Sequence, residues 1–297
     1  MLTGQQLRQV AQRSGARDIV NVEIDVILTH LLELFNERGI VEHVAFKGGT
    51  LLRKMHFGPR GRLSTDLDFT CRSTCSQDDL MLMILDALEA PYHGISFRIE
   101  RDKDWYFTED GLSANPVCTH RDNPRGIKIK LQVSSREEPI LPQPQLEQDY
   151  FRLLPFKPAA IPSLAFEEAV AEKIRAASQR SKIRDLHDLS EVAKRALNQD
   201  RIRALAVLKL WNSGGQGLNY EAFRERIAGA ADYDVADLRN LLRRDENPDL
   251  QAMIGRVTQG FQFLHNVTEL EAAVAADSRK QAQDEAAALL ASLRGAA

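Results

Sequence analysis

Lys47-Gly-Gly-Thr-Leu-Leu-Arg53 and, shortly after it, Arg62-Leu-Ser-Thr-Asp-Leu-Asp-Phe69 are the stretches that decide the fold of this chain. The apolar run Val44–Phe46 before the first stretch predicts a short strand, which the glycine pair ends. The apolar spacing that follows Thr50 predicts a helix. A strand, a glycine turn and a helix start place backbone N–H groups and a hydroxyl where an anion can bind.

The second stretch alternates apolar and polar residues from Leu63 to Phe69, which predicts another strand. The alternation puts Asp66 and Asp68 on the same face, roughly 7 Å apart along the strand. Two carboxylates that face the same way repel each other, and a divalent cation is the simplest relief. The two stretches together therefore predict metal-assisted phosphoryl or nucleotidyl chemistry.

Length and composition are typical of an ordinary soluble protein. The chain has 297 residues, of which 43% are hydrophobic and 27% charged, enough for one large core or two smaller ones. It has neither an apolar run of the roughly 20 residues that a membrane span needs nor the basic head and apolar core of a signal peptide. Cys71, Cys75 and Cys118 form no zinc pattern. We expect a cytoplasmic monomer without membrane contact.

The formal net charge of −3 gives no overall signature of nucleic-acid binding, so a polynucleotide would have to bind a local basic patch. Two groups of basic side chains are candidate contacts for an RNA acceptor, although ordinary solvation explains them equally well. These are Arg53, Lys54, Arg60 and Arg62, and then Arg121, Arg125, Lys128 and Lys130.

The chain divides into two regions at a proline-rich stretch, 139–162, which cannot be the interior of a helix. Before it we predict helices within residues 1–39, a helix over 78–88 after an N-cap at Ser76, and strands over 95–100 and 127–133. The second strand would carry Lys128, Lys130 and Gln132 on one face. After the stretch the pattern is helical to the end. We therefore predict an α+β fold with domains 1–155 and 156–297.

A second set of charged residues lies early in the helical region. Ser163 is the predicted start of a helix that carries Lys173, and the next helix, from about residue 181, carries Asp185 and Asp188 on one face. A short turn between the helices would bring Lys173 and Asp188 face to face. On spacing alone, an ordinary salt bridge between helices remains an alternative.

The ordered combination of these motifs resembles the nucleotidyltransferase toxins of the AbiEii group, in the polymerase-beta-like superfamily. The resemblance rests on the Gly48-Gly49-Thr50 turn, the Arg-x-Ser-x-Asp-x-Asp run from Arg62, and a Lys followed by Arg-Asp-x-x-Asp. It implies a polymerase-beta-like domain with a mixed sheet, followed by a helical domain that contributes Lys173 and Asp188 to the site. It also implies that NTP phosphates bind Gly48, Gly49, Thr50, Ser64 and Lys173, and that Mg²⁺ or Mn²⁺ binds Asp66 and Asp68.

By the same resemblance, the protein would be the toxin of a type IV-like toxin–antitoxin pair, with a cognate antitoxin as partner. It would transfer NMP from an NTP to an acceptor hydroxyl, expected at the 3′ end of tRNA, and so block translation and growth. One departure concerns Gln132, an amide where many relatives in the superfamily carry a third carboxylate. Either two acids suffice or Asp188 supplies the charge, so a two-metal mechanism is in doubt.

Two other functions stay open. A nucleotidyltransferase acting on a protein or a small molecule would suit the negative net charge slightly better. An inactive nucleotide-binding interaction module would suit Gln132, but the presence of Asp66, Asp68, Lys173 and Asp188 argues against it.

Overall fold

The structure is a computed structural model that describes residues 1–72, 76–100, 103–108, 110–141, 145–147, 153–214, 217–229, 231 and 233–295. It forms two compact units. The first consists of Met1–Pro139, Gln143–Leu164 and Asn240–Glu246, and the second of Ile140–Pro142, Ala165–Arg239 and Asn247–Ala297. The division lies after Leu164, whereas the sequence predicted it after residue 155. The return of Asn240–Glu246 to the first unit had no signal in the sequence.

Two helices begin the first unit, as predicted for residues 1–39. Helix α1 (Gly4–Ser14) starts with a capping box between Thr3 and Gln6, and it ends at Gly15, whose φ of 70° is the left-handed conformation of a helix C-cap. Helix α2 (Ile19–Glu37) is buried along most of its length. It supplies a large part of the core of this unit.

Among the described residues, the strands of the first unit form three sheets. A mixed five-stranded sheet has the order β1-β2-β8-β5-β4, a three-stranded sheet has the order β3-β6-β7, and β9 pairs with β10. The strands are β1 (Val44–Lys47), β2 (Asp66–Cys71), β3 (Ile95–Arg98), β4 (Trp105–Thr108), β5 (Gly111–Ala114), β6 (Val117–His120), β7 (Asn123–Lys128), β8 (Lys130–Ser134), β9 (Gln145–Glu147) and β10 (Ala160–Pro162).

The five-stranded sheet has one apolar and one polar face around β2. Leu67 and Phe69 are buried in the core, and Phe69 packs against Phe35 and Phe46. Because side chains alternate along a strand, Asp66 and Asp68 lie on the opposite face, where they are half-buried. The predicted placement of the two carboxylates on one face is therefore confirmed.

The connection from β1 to β2 is helical throughout its first part. Helix α3 (Gly48–Leu51) begins two residues before the predicted start at Thr50, and it continues as a π-helix (Leu52–Phe57) and a 3₁₀ turn (Gly58–Arg60). After β2 comes helix α4 (Gln77–Glu89), whose N-cap Ser76 accepts the N–H of Asp79 at 3.1 Å, as predicted.

The predicted single strand over 127–133 is wrong. The chain leaves the three-stranded sheet at Lys128 and enters the five-stranded sheet at Lys130, with Ile129 buried between them. The Ile129 N–H donates to the Pro116 carbonyl at 2.9 Å, outside both ladders. Lys128 therefore belongs to a different sheet from Lys130 and Gln132. Alternation of residue type cannot reveal this change, because both strands alternate.

The second unit is helical, as predicted. Its helices are α5 (Phe166–Gln179), α6 (Ile183–Val192), α7 (Gln199–Asn212), α8 (Tyr220–Ala228), α9 (Val235–Arg239), α10 (Leu250–Gly260), α11 (Glu269–Ala276) and α12 (Gln283–Gly295). Helix α5 starts at Phe166 and not at Ser163, whose hydroxyl instead donates to the Ile161 carbonyl at 2.8 Å. Within the part of the chain that the structure describes, no helix is both long and apolar enough to cross a membrane.

The structure bears on the cysteines as well. Cys71 and Cys118 are free thiols, and Cys75 lies outside the described residues.

A buried ion pair fixes the π-helix to α2. The Lys54 ammonium lies 3.0 Å from Asp25 Oδ1 and 2.7 Å from the Thr29 hydroxyl, and both charged side chains are fully buried. Burial lowers the pKa of Lys54, while the Asp25 charge raises it again without reversing the shift. Such a pair is costly to break from one side, since the remaining charge stays buried without its counter-ion.

We predict that Asp25→Ala lowers the free energy of unfolding by about 3 to 5 kcal/mol, because it leaves the ammonium of Lys54 buried. The double variant Asp25→Ala with Lys54→Met should recover most of this loss. Urea denaturation followed by circular dichroism measures both effects.

Asp86→Ala is the matched control, since it breaks the exposed pair of Arg38 and Asp86, whose side chains are 46% and 72% accessible. Its cost should stay below about 1 kcal/mol. Equal losses for Asp25→Ala and Asp86→Ala would contradict the role of the buried pair.

Candidate active site

The glycine turn and the carboxylate strand lie directly against each other. Register pairs Lys47, the last residue of β1, with Asp68 on β2. The Thr50 hydroxyl donates to the backbone carbonyl of Asp66 at 2.5 Å. Thr50 is fully buried, so this hydroxyl ties the turn to the strand. The hydroxyl therefore has a partner within the protein, and the contact between Thr50 and a phosphate stays a prediction.

Gly48 approaches the Asp68 side chain more closely than any other residue type would allow. A Cβ at Gly48 would lie 2.9 Å from the Cβ of Asp68 and would overlap its Oδ2. Gly48 also has a φ of 81°, a conformation that glycine adopts readily and other residues rarely do. Both facts require glycine at this position, and they place the turn backbone beside the carboxylate.

Gly49 has neighbours of a different kind. A Cβ there would lie 2.5 Å from Arg62 Nη2 and 3.5 Å from the Ser64 hydroxyl. The structure therefore brings together four predicted residues of the site, namely Gly48, Gly49, Ser64 and Asp68. Arg62 is buried beside them, and its Nη1 donates to the Leu63 carbonyl at 3.1 Å.

The neighbouring strand β8 adds Gln132 to the carboxylate face. Parallel register places Lys130 beside Asp66 and Gln132 beside Asp68. Two carboxylates with an adjacent amide oxygen are hard oxygen donors, and Mg²⁺ commonly uses one or two carboxylates together with substrate phosphates. The side chains thus fit a divalent cation, although no group of three or more His, Cys, Asp or Glu suited to a metal occurs among the described residues.

Three of the residues predicted to contact RNA are buried. Arg53 and Lys54 are each 3% exposed and Arg62 is 5% exposed. Arg53 donates to the carbonyls of Gly58 and Gly61, at 2.5 and 2.7 Å, and so holds the turn before β2. These three side chains brace the site from within. The predicted contacts that do lie on the surface are Arg60, Arg121, Arg125, Lys128 and Lys130.

Lys173 lies in a cluster of charges inside the second unit. Its ammonium is 2.9 Å from Asp185 Oδ1 and 2.8 Å from Asp188 Oδ2, so α5 and α6 face each other as predicted. Arg180 lies 2.9 Å from the other oxygen of Asp185. Burial alone would raise the pKa of Asp185, but Lys173 and Arg180 together outweigh it and lower that pKa.

Asp185 was missing from the predicted site residues. Its i, i+3 spacing from Asp188 was the available signal, since two acids on one turn of α6 can hold the same ammonium. Arg184, by contrast, contacts Asp237 at 3.0 Å. Two carboxylates therefore fix the Lys173 side chain, and it is oriented more firmly than one salt bridge would make it.

A mixed sheet whose strand β2 carries two alternating carboxylates beside a Gly-Gly turn is the arrangement expected of a nucleotidyltransferase. The chain belongs to the family described as nucleotidyl transferase AbiEii toxin, type IV toxin–antitoxin system, whose model matches residues 30–296. The protein is thus a nucleotidyltransferase toxin, and its family implies an antitoxin partner. The resemblance that we drew from the motifs is confirmed.

Comparison with solved structures found one similar toxin and a more distant match. The chain is similar to MenT4, the nucleotidyltransferase toxin Rv2826c from Mycobacterium tuberculosis H37Rv, with 27% identity and a TM-score of 0.78 over 99% of this chain and 100% of that one. JHP933 from Helicobacter pylori matches with 20% identity and a TM-score of 0.46, over 80% of this chain and 91% of that one. No curated protein sequence matches.

The contact between Gly48 and Asp68 can be separated from backbone strain by comparing two glycines. Gly58 also has a positive φ, 59°, but a Cβ there would have open space around it. We predict that Gly58→Ala costs about 1 to 3 kcal/mol of stability, because the φ of 59° and ψ of −147° at this position lie in a region that glycine adopts far more readily than other residues. This variant should keep nucleotidyl transfer. Gly48→Ala should displace the Asp68 carboxylate as well and reduce transfer by about a hundredfold or more.

Urea denaturation and transfer from a radiolabelled NTP measure the two quantities. A Gly48→Ala protein that transfers nucleotide as well as Gly58→Ala would show that the close approach has no role in activity.

Proposed function

We propose that this toxin transfers NMP from an NTP to an acceptor hydroxyl at the 3′ end of tRNA, in a reaction that depends on Mg²⁺ or Mn²⁺. The supporting observation is the close approach of the Gly48 backbone to Asp68, which leaves no side chain between the turn and the carboxylates. Pyrophosphate would leave as the acceptor oxygen bonds to the α-phosphorus. A modified tRNA end would block translation and growth.

The residues of the first unit would bind the metal ion and the nucleotide. Asp66 and Asp68 would hold the divalent ion, and when bound the ion neutralises phosphate charge. Gly48 and Gly49 offer backbone close to those carboxylates, and the Ser64 hydroxyl lies beside Gly49. Gln132, beside Asp68 in the register, adds an oxygen donor without charge. This donor set supports at least one metal site.

Lys173 would serve the same reaction by supplying positive charge to the NTP phosphates. An ammonium held by two carboxylates keeps a fixed position, and a preorganised charge stabilises developing negative charge without reorganising. Asp188 and Asp185 would then be positioning residues that act through Lys173. The family resemblance supports this role.

A protein or small-molecule acceptor is the second candidate. The net charge of −3 and the burial of Arg53, Lys54 and Arg62 favour it, because they reduce the basic surface near the site. Incubation of the toxin with a labelled NTP and a cell extract separates the candidates. Label that nuclease removes and protease spares supports the RNA acceptor, and the opposite result supports the protein.

We predict that Asp66→Asn and Asp68→Asn each lower the rate of transfer by about a thousandfold or more, equivalent to about 4 kcal/mol of transition-state stabilisation. The amide keeps the shape of the carboxylate and removes its charge, so folding should be retained. Transfer at increasing Mg²⁺ concentrations measures the effect, with thermal unfolding as the folding control. Unchanged rates would refute metal binding by this pair.

Lys173→Met should raise the KM for NTP by about tenfold or more and leave the dependence on Mg²⁺ unchanged. Arg180→Met is the matched control, since it removes the other cation bound to Asp185, and its side chain is 52% exposed. Steady-state kinetics at saturating acceptor measures both variants. If the two variants behave alike, Lys173 is a structural partner of Asp185 and Asp188 and has no role toward the nucleotide.

A further inference from the structure

A basic groove in the first unit is formed by parts of the chain that are far apart in sequence. It has a volume of about 650 Å³, and three arginines are among the residues that line it, Arg8, Arg17 and Arg244. Asp18 is the acid of the lining. Three arginines and one aspartate give the groove a formal charge of +2, against −3 for the whole chain.

The acid is engaged in the helix that it starts. Asp18 is the N-cap of α2, where Oδ1 accepts the Val20 N–H at 2.8 Å. Its charge is therefore placed at the positive end of the helix dipole. The other charged residues of the lining are arginines, whose planar donor groups match the oxygens of phosphate in pairs.

Backbone bonds fix the shape of the groove. The Arg244 N–H donates to the Gly15 carbonyl at 2.8 Å, and Arg243 bridges to Ala16. Arg17 donates to the carbonyls of Arg244 and Glu246, at 3.1 and 2.6 Å. The segment Asn240–Glu246 is thus held against the end of α1, so the arginines do not depend on a loose loop for their positions.

The same segment connects the groove to the carboxylate strand. Leu241, next to the lining residue Asn240, accepts the Leu63 N–H at 2.8 Å, and both leucines belong to one core cluster with Leu7 of α1. Leu63 precedes Asp66 by three residues, and a chain spans at most about 3.6 Å per residue. Asp66 therefore lies within roughly 11 Å of the Leu63 backbone.

We propose that this groove binds the phosphodiester backbone of the RNA acceptor, with Arg8 and Arg244 contacting phosphates from the two sides and Arg17 holding the groove together. The inference rests on the proposed function, since it assigns a binding place to the acceptor. None of these arginines was among the contacts expected from the sequence, which all lay near the motif or beyond residue 120. The groove supplies local positive charge that the net composition conceals.

Binding of RNA without NTP tests the groove apart from catalysis. The probe is a 5′-fluorescein-labelled RNA hairpin with a single-stranded 3′ tail. Fluorescence anisotropy measures the affinity of the protein for this hairpin, from about 50 to about 200 mM salt. Arg8→Gln and Arg244→Gln should each weaken binding by roughly five- to twentyfold, and each should reduce the slope of log affinity against log salt by about one. Both side chains are exposed, so unfolding midpoints should not change.

Arg13→Gln is the matched control. Arg13 is an exposed arginine in the last turn of the same helix, outside the groove lining, so its loss changes the net charge equally. Its effect on RNA affinity should be less than about twofold. If Arg8→Gln and Arg244→Gln bind the hairpin as tightly as Arg13→Gln, the inference is overturned.

Transfer from a labelled NTP to the same hairpin separates this result from a failure of the proposed function. If the wild-type protein labels the hairpin and the Arg8→Gln and Arg244→Gln variants still bind it normally, the proposed function stands and the inference about the groove is rejected. Wild-type protein that labels only proteins in an extract rejects the RNA acceptor and the groove together. Binding of polyglutamate is the last measurement. If the variants lose affinity for polyglutamate but keep their affinity for the RNA hairpin, the groove binds an acidic protein and the inference is rejected.

Discussion

The close approach of the Gly48 backbone to the Asp68 side chain is the constraint on which the candidate active site depends. It requires a residue without Cβ and with a positive φ, so that the turn can reach the strand. The Thr50 hydroxyl then ties the same turn to the Asp66 carbonyl. Since strand and turn are held this closely, the Asp68 side chain occupies the space that a Cβ at Gly48 would need, and its carboxylate lies directly against the backbone of the turn.

Buried ion pairs hold part of the surrounding framework. Lys54 binds Asp25 behind the turn, and Lys209 lies 2.7 Å from Glu168 in the helical unit. Glu168 also accepts the N–H groups of Ile140 and Leu141, which fastens this short segment to the second unit. Several basic residues of this acidic protein are therefore internal, and its surface charge differs from what composition suggests. The arginine-lined groove is the complementary case, since its positive charge faces solvent.

Some site residues were predictable because their chemistry depends on local spacing. Asp66 and Asp68 alternate on a strand, so their common face follows from the period of two, and Gly48-Gly49 marks a turn wherever it folds. Arg53, Lys54 and Arg62 were misjudged because a basic side chain near a motif looks the same in sequence whether it is exposed or buried. Their partners are Gly58, Asp25 and backbone carbonyls, which no local pattern identifies.

The sequence by itself determined the family, the carboxylate pair, the helical second half and the pairing of Lys173 with Asp188. These follow from short-range periodicity and from an ordered set of motifs. Only the tertiary structure decided that residues 127–133 belong to two sheets, that Gln132 lies beside Asp68, and that the segment 240–246 returns to the first unit and shapes a basic groove. Such features depend on hydrogen bonds between residues far apart in the chain. Backbone groups make most of these bonds, so the local pattern of residue types does not reveal them.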